Sequence, residues 1–155
     1  METIKIAIVG VGNCASALVQ GLSFYKQHGG GQVIGLMHWE LGGYSPSDIT
    51  LAAAFDIDKR KVGLDVGKAI FQLPNCTRIF CPDVPDTGVT VMMGALIDGM
   101  SPHMAALDQE YRFDPSDEPD ASMSDVIGEL KKSGTQVLVN FLPVGSQQAA
   151  EFYIR

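Results

Sequence analysis

Ile4-Lys5-Ile6-Ala7-Ile8-Val9-Gly10-Val11-Gly12-Asn13-Cys14-Ala15 is a short apolar run that ends in a glycine, repeats glycine two residues later and places a small residue three further on. This is the G-x-G-x-x-[G/A] pattern at a strand-to-helix turn, where it binds the pyrophosphate of a dinucleotide. Gly10 permits the tight turn, Gly12 lets a phosphate approach the backbone, and Ala15 lets helix and strand pack closely. The N–H groups of the first helical turn lack partners inside the helix and face the phosphates. Leu18, Leu22 and Tyr25 follow at helical spacing, which completes the context the motif needs. The reading is a bound NAD; its competitor is a Gly-rich turn that binds nothing.

Bulk properties narrow the field. A chain of 155 residues is one domain by size, and at 46% hydrophobic and 19% charged residues it is of globular composition. The net charge is −7 and no basic cluster exceeds Lys59-Arg60-Lys61, so neither nucleic acid nor an anionic membrane is an expected partner. An acidic chain holds an anionic cofactor through local backbone dipoles. Three cysteines, Cys14, Cys76 and Cys81, with no secretory leader pattern point to reduced thiols and a cytoplasmic location. No apolar segment approaches the roughly 18 residues needed to cross a bilayer. Cys76 and Cys81 lack a second thiol pair or a nearby histidine, so no metal is expected. His28, His38 and His103 read as surface or loop residues.

Along the chain, strand 4–9 leads into a helix over Cys14–Lys26, which stops at His28-Gly29-Gly30-Gly31. Two stretches compete for the second strand. Val33–Met37 would put Glu40 near the ribose-binding position; Thr50–Asp56 ends in Asp56-Ile57-Asp58 and leads straight into an apparent helix over Lys59–Phe71. The second is preferred, which makes residues 28–49 an inserted loop. An acid at the end of the second strand accepts hydrogen bonds from the adenosine ribose, and its charge disfavours NADP. Asp56 takes this role although it lies 44 residues beyond Gly12, where the pattern expects about 20; the alternative is that it only caps the next helix. Val89–Met93 reads as a third strand, Ser124–Lys132 as a helix and Gln136–Leu142 as a fourth strand, with Pro143–Ser146 turning into a last helix. Lys26, Lys59, Lys61 and Lys68 read as solvated helix residues. The fold expected is α/β, a Rossmann-type NAD-binding domain with a parallel sheet in the order 3-2-1-4. Its switch-point crevice would then meet both Gly10–Asn13 and Leu142–Ser146, the latter as a second cofactor contact or as an ordinary capping turn.

Gly10-Val11-Gly12-Asn13-Cys14-Ala15-Ser16, Gly35-Leu36-Met37-His38, Phe55-Asp56-Ile57-Asp58, Lys61-Val62-Gly63-Leu64-Asp65, Asp98-Gly99 and Leu142-Pro143-Val144-Gly145-Ser146 together resemble the prokaryotic form of myo-inositol-1-phosphate synthase, also called inositol-3-phosphate synthase. The resemblance spans essentially all 155 residues. It implies an isomerase that converts glucose 6-phosphate to inositol phosphate by internal oxidation, aldol cyclisation and reduction, with NAD recycled. It further implies that Gly10, Val11, Gly12, Asn13 and Cys14 line the pyrophosphate, that Asp56, with Ile57 beside it, holds the ribose, and that Leu142, Pro143 and Ser146 lie near the nicotinamide half. Members of that family are more than twice as long. The lysines credited with catalysis and the domain through which subunits form a homotetramer fall in the part without a counterpart here. The expectation is therefore an N-terminal NAD-binding portion over 1–155, incomplete relative to the family, with its catalytic residues elsewhere. Two alternatives remain open: an NAD-dependent sugar or inositol dehydrogenase, and a non-catalytic NAD-sensing domain.

Overall fold

The computed structural model describes residues 3–29, 34–100 and 102–155, without the side chains of His103 and Ala105. Four strands, β1 (Ile4–Val9), β2 (Ile49–Asp56), β3 (Val91–Met93) and β4 (Val137–Asn140), form one parallel sheet in the order β3-β2-β1-β4. Val9 lies opposite Phe55 on one side and Asn140 on the other, while Asp56 lies opposite Met93. The carboxyl ends of all four strands therefore come level with one another. This is the Rossmann-like order that the chain's alternation of strands and helices predicts.

Central strands of a parallel sheet are covered on both faces and read as continuous apolar runs. Ile6-Ala7-Ile8-Val9 is such a run, and all four side chains are buried. Ile8 and Ala54 meet Val11, Ala15 and Val19 at the start of α1 (Asn13–Gln27) and Val66, Ala69 and Ile70 around α2 (Val66–Ala69). On the other face Ala7, Val9, Ala53 and Phe55 meet Val126 of α3 (Met123–Ser133) and Tyr153 of α4 (Gln147–Ile154). Right-handed crossovers require this division, because connections running outward from β1 and those returning across it must use opposite faces.

Thr50–Asp56 lies within β2, as its lead into Asp56-Ile57-Asp58 predicts. Ile34 and Met37 are exposed turn and bend residues, and Val33 lies outside the described residues, as do Gly30 and Gly31. The insertion ends in a capping box at Ser45 and Asp48 that launches β2. α3 matches its expected span within a residue: Ser122 caps it with Asp125, and Gly134 closes it in the left-handed conformation at φ 69°.

The helix expected over Lys59–Phe71 does not form. Residues 59–63 are turns, and only Val66–Ala69 is helical. Gly63 sits at φ 85°, and its N–H donates to the Val91 carbonyl at 2.9 Å instead of to a helical partner. Leu64 and Val66 also pair with the backbone of residues 89–91. The stretch serves as cover for the outer edge of β3, which shortens that strand relative to its expected start at Val89. Asp65 anchors the arrangement by accepting from the N–H groups of Gly67, Thr87 and Gly88. Burial pushes its carboxyl up, but those hydrogen bonds outweigh it and hold the group below its ordinary range.

Candidate functional site

The ends of β1, β2 and β4 open into a cleft of about 700 Å³. It lies where the strand order reverses, the place at which open α/β sheets bind ligands. Its floor is the Gly-rich turn. Gly10 stands at φ 88° and donates its N–H to the Phe55 carbonyl at 2.8 Å. A Cβ there would lie 2.9 Å from the Phe141 carbonyl oxygen, so glycine is what lets the end of β1 pass close to the end of β4. At Gly12 a Cβ would meet nothing within 4 Å, and the residue faces the cleft. Ala15 is fully buried against the sheet. The two glycines thus answer different demands: close packing behind, open approach in front.

Val11, between them, is fixed at both ends. Its N–H donates to Asp56 Oδ2 at 2.6 Å, and its carbonyl accepts from Lys61 Nζ at 2.8 Å. The other oxygen of Asp56 accepts from the N–H groups of Ile57 and Asp58, each at 2.8 Å. A carboxylate offers about four acceptor positions, so three here serve the chain and one remains for a ligand hydroxyl. Asp56 is 8% exposed and lines the cleft. Glu40, the other acid considered for the ribose, is exposed on the insertion and is not among the lining residues.

Lys61 corrects the sequence reading most sharply. Far from being a solvated helix residue, it is wholly buried behind the turn, and its ammonium also donates to the Pro74 carbonyl at 3.3 Å. Burial pushes the ammonium below its ordinary range, while the negative charges of Asp56 and Asp58 pull it back. The helical spacing assumed for 59–71 hid it.

Three further walls surround the floor. Leu73, Pro74, Asn75 and Cys76 form one, tied to the start of α1 by Asn13: its side-chain oxygen accepts from the Cys76 N–H at 2.9 Å, and its amide donates to Cys76 Sγ at 3.2 Å. Met104, Glu110, Tyr111 and Phe113 form the second. That wall is latched to the end of β2 by Arg60, which pairs with the fully buried Asp58 at 2.6 Å and donates to the carbonyls of Gln109 and Arg112. Leu142, Pro143 and Val144 form the third, with Tyr153 behind them taking the Ala95 N–H on its hydroxyl at 3.0 Å. Burial pushes the Tyr153 phenol up.

Of the residues singled out in the sequence, Gly10, Gly12, Asn13, Cys14, Asp56, Ile57, Leu142 and Pro143 all line this one cleft. Val11 is buried and contributes its backbone. Ser146 is buried at the N-cap position of α4, away from the lining residues, and its side chain makes no cap. The cap comes from Asp98, whose carboxylate accepts from the N–H groups of Gln148 and Ala149 at 2.8 Å each. Nothing in local spacing marks the 104–113 wall or Tyr153, since both arrive through tertiary packing. Cys14 and Cys76 are exposed free thiols, and among the described residues no three His, Cys, Asp or Glu side chains gather as a metal site requires.

Comparison with known proteins adds a second line of evidence. No family model matches the chain. It is 42% identical over 153 residues to the inositol-3-phosphate synthase of Corynebacterium glutamicum, covering 98% of this chain and 40% of that one. It is 44% identical over 151 residues to the inositol-3-phosphate synthase of Mycolicibacterium smegmatis, covering 97% and 39%. The crystal structure of Ari2 superposes with a TM-score of 0.76 at 32% identity, over 98% of this chain and 41% of that one. A myo-inositol-1-phosphate synthase-related protein from Thermotoga maritima superposes with a TM-score of 0.62 at 19% identity, which speaks to the fold. The chain spans about two-fifths of the length of these curated relatives. By sequence it is a relative of the inositol-3-phosphate synthases and corresponds to an N-terminal portion of them.

Proposed function

We propose that residues 1–155 are the dinucleotide-binding domain of an inositol-3-phosphate synthase, with NAD as the cofactor. One observation carries the reading: Gly12, open to an approaching phosphate, and the buried Asp56 carboxylate face the same switch-point cleft. Gly12, Asn13 and Cys14 would hold the pyrophosphate through backbone N–H groups, while Gly10 and Val11, whose own N–H groups go to Phe55 and Asp56, would shape the turn beneath it. Asp56 would accept from the adenosine ribose with Ile57 beside it, and Leu142–Pro143 would flank the nicotinamide half. Ser146, off the lining, would act only through the turn it ends. When bound, NAD supplies reversible hydride acceptance. The substrate proposed for the whole protein is glucose 6-phosphate, the product an inositol phosphate and the assembly a cytoplasmic homotetramer, by likeness to the synthases.

The chain's own part is to bind, orient and discriminate. Asp56 does the discriminating, because a 2′-phosphate would be brought against a carboxylate held in place by three N–H donors. The test is titration of the chain with NAD and NADP, repeated on Asp56→Asn, which removes the charge and keeps the shape. NAD binds and NADP is disfavoured in the parent; in the variant the discrimination falls by about tenfold, the scale of one charge interaction in a partly buried site. Unchanged discrimination would remove Asp56 from the ribose site. With the relatives' remaining length present, turnover of glucose 6-phosphate without net NADH separates a synthase from a dehydrogenase.

A further inference from the structure

We propose that Lys61 is the positioning residue of the Gly-rich turn: by holding the Val11 carbonyl from behind, it aims the Gly12 N–H into the cleft. The inference rests on the cofactor reading above. The Val11 carbonyl and the Gly12 N–H belong to one peptide unit, and in a planar trans peptide the two point in opposite directions. Lys61 Nζ meets that carbonyl at 2.8 Å from the buried side. The N–H is therefore turned the other way, toward the side on which Gly12 faces the cleft. Among the described residues no acceptor takes it.

The peptide unit before it is held as firmly, since the Val11 N–H donates to Asp56 at 2.6 Å. With the carbonyl fixed by a cation and the preceding N–H fixed by an anion, the turn cannot rotate to satisfy the Gly12 N–H internally. The donor is kept available for an anion. A neutral donor at position 61 could supply the hydrogen bond but not the charge, and bonds to ionised groups are about twice as strong as neutral ones. The same ammonium reaches Pro74, so one buried charge also fixes the distance between the floor and the 73–76 wall. A buried lysine is costly unless fully engaged, and no buried side-chain nitrogen or oxygen among the described residues is left without a partner.

The test is an NMR titration of the 15N-labelled chain with NAD, in the parent and in Lys61→Met, reading the dissociation constant and the Gly12 amide. In the parent the Gly12 amide moves downfield as NAD saturates. In Lys61→Met the affinity falls about 10- to 100-fold, as expected for losing a charge-assisted hydrogen bond, and the Gly12 shift disappears while resonances of α3 and β4 keep their positions. A variant that binds as tightly as the parent, with the Gly12 shift intact, overturns the proposal alone. A parent that does not bind NAD overturns the cofactor reading and this inference with it. Should Lys61→Met fail to fold, the parent decides: a Gly12 amide unmoved at saturation overturns the proposal, and one that moves while the Lys61 ammonium protons stay protected from exchange supports it.

Discussion

Two turns face each other across the cleft, and they are built differently. Val9–Asn13 and Asn140–Ser146 each leave the end of a parallel strand, pass through glycine and enter a helix. The first is locked from within: Asp56 and Lys61, both buried and oppositely charged, grip the two ends of Val11. The second is held without a buried charge: the Phe141 N–H donates to the Val9 carbonyl at 2.8 Å, the Ser146 N–H to the Pro143 carbonyl at 3.2 Å and the Leu142 N–H to the Asn140 side chain at 2.9 Å, while Asp98 reaches over from the loop after β3. Val144 at its tip is fully exposed. The same strand-to-helix geometry can thus be made rigid by buried charge or left adjustable at the surface. On the function proposed above, the rigid turn is the one that would present backbone donors to an anion, a task in which preorganisation decides affinity.

The sharpest way to break this contrast is at Gly10. Alanine there takes on a left-handed φ of 88° and also drives its Cβ to 2.9 Å from a backbone carbonyl that belongs to the neighbouring strand end. Neither strain can be relieved by a rotamer change. Gly10→Ala should lose about 3 kcal/mol in urea unfolding, at the upper end for backbone strain. A loss near zero would mean that the ends of β1 and β4 can separate freely, and the first turn would be no stiffer than the second.

A smaller effect is expected at the second turn. Asp98→Ala removes the only side-chain cap of α4 seen among the described residues and should lower Tm by less than Gly10→Ala does. The N–H groups of Gln148 and Ala149 hold the Asp98 carboxyl below its ordinary value of 3.8. Since the folded value lies below the unfolded one, its contribution is fully present above that ordinary value and is lost as pH falls through the folded value. Between neutrality and the acid limb the parent should therefore lose stability more steeply than the variant. Parallel acid limbs in thermal scans would show that the Asp98 cap adds nothing to the turn.

How much of this was legible in the sequence follows from the range of the forces involved. β1, the tight turn at Gly10, α3 to within a residue of its expected span, and the strand order all rest on local periodicity and on handedness, and the structure has each of them. Asp56 ends β2 and lines the cleft although the insertion displaces it, because an acid ending a central apolar strand lies at the carboxyl edge of the sheet at any spacing. Lys61 was misread because a run containing Lys59, Lys61 and Lys68 looks like a solvated helix face until Gly63 is seen to give its N–H to β3. Ser146 was chosen by position, while the cap it suggested comes from Asp98, 48 residues earlier. The walls at 104–113 and at Tyr153 depend on the Arg60–Asp58 latch and on packing across the sheet, contacts with no signature at short range.

The finest test of the contrast is Gly12→Ala, because there stability and binding should part company. Gly12 has a negative φ, −98°, without the left-handed strain of Gly10, and an added Cβ meets nothing within 4 Å. Unfolding free energy should therefore stay within about 0.5 kcal/mol of the parent, the range of an unconstrained substitution. The new methyl would occupy the space that an approaching phosphate needs, so NAD affinity should fall steeply in the same protein. Gly10 and Gly12 would then be separable by experiment, the one serving the fold and the other the ligand. If Gly12→Ala unfolds as readily as Gly10→Ala, the turn needs both glycines for its own stability and its openness carries no functional meaning. If it folds normally and binds NAD as the parent does, the pyrophosphate does not approach at Gly12, and the stiffness supplied by Asp56 and Lys61 must serve the packing of β1 against β2.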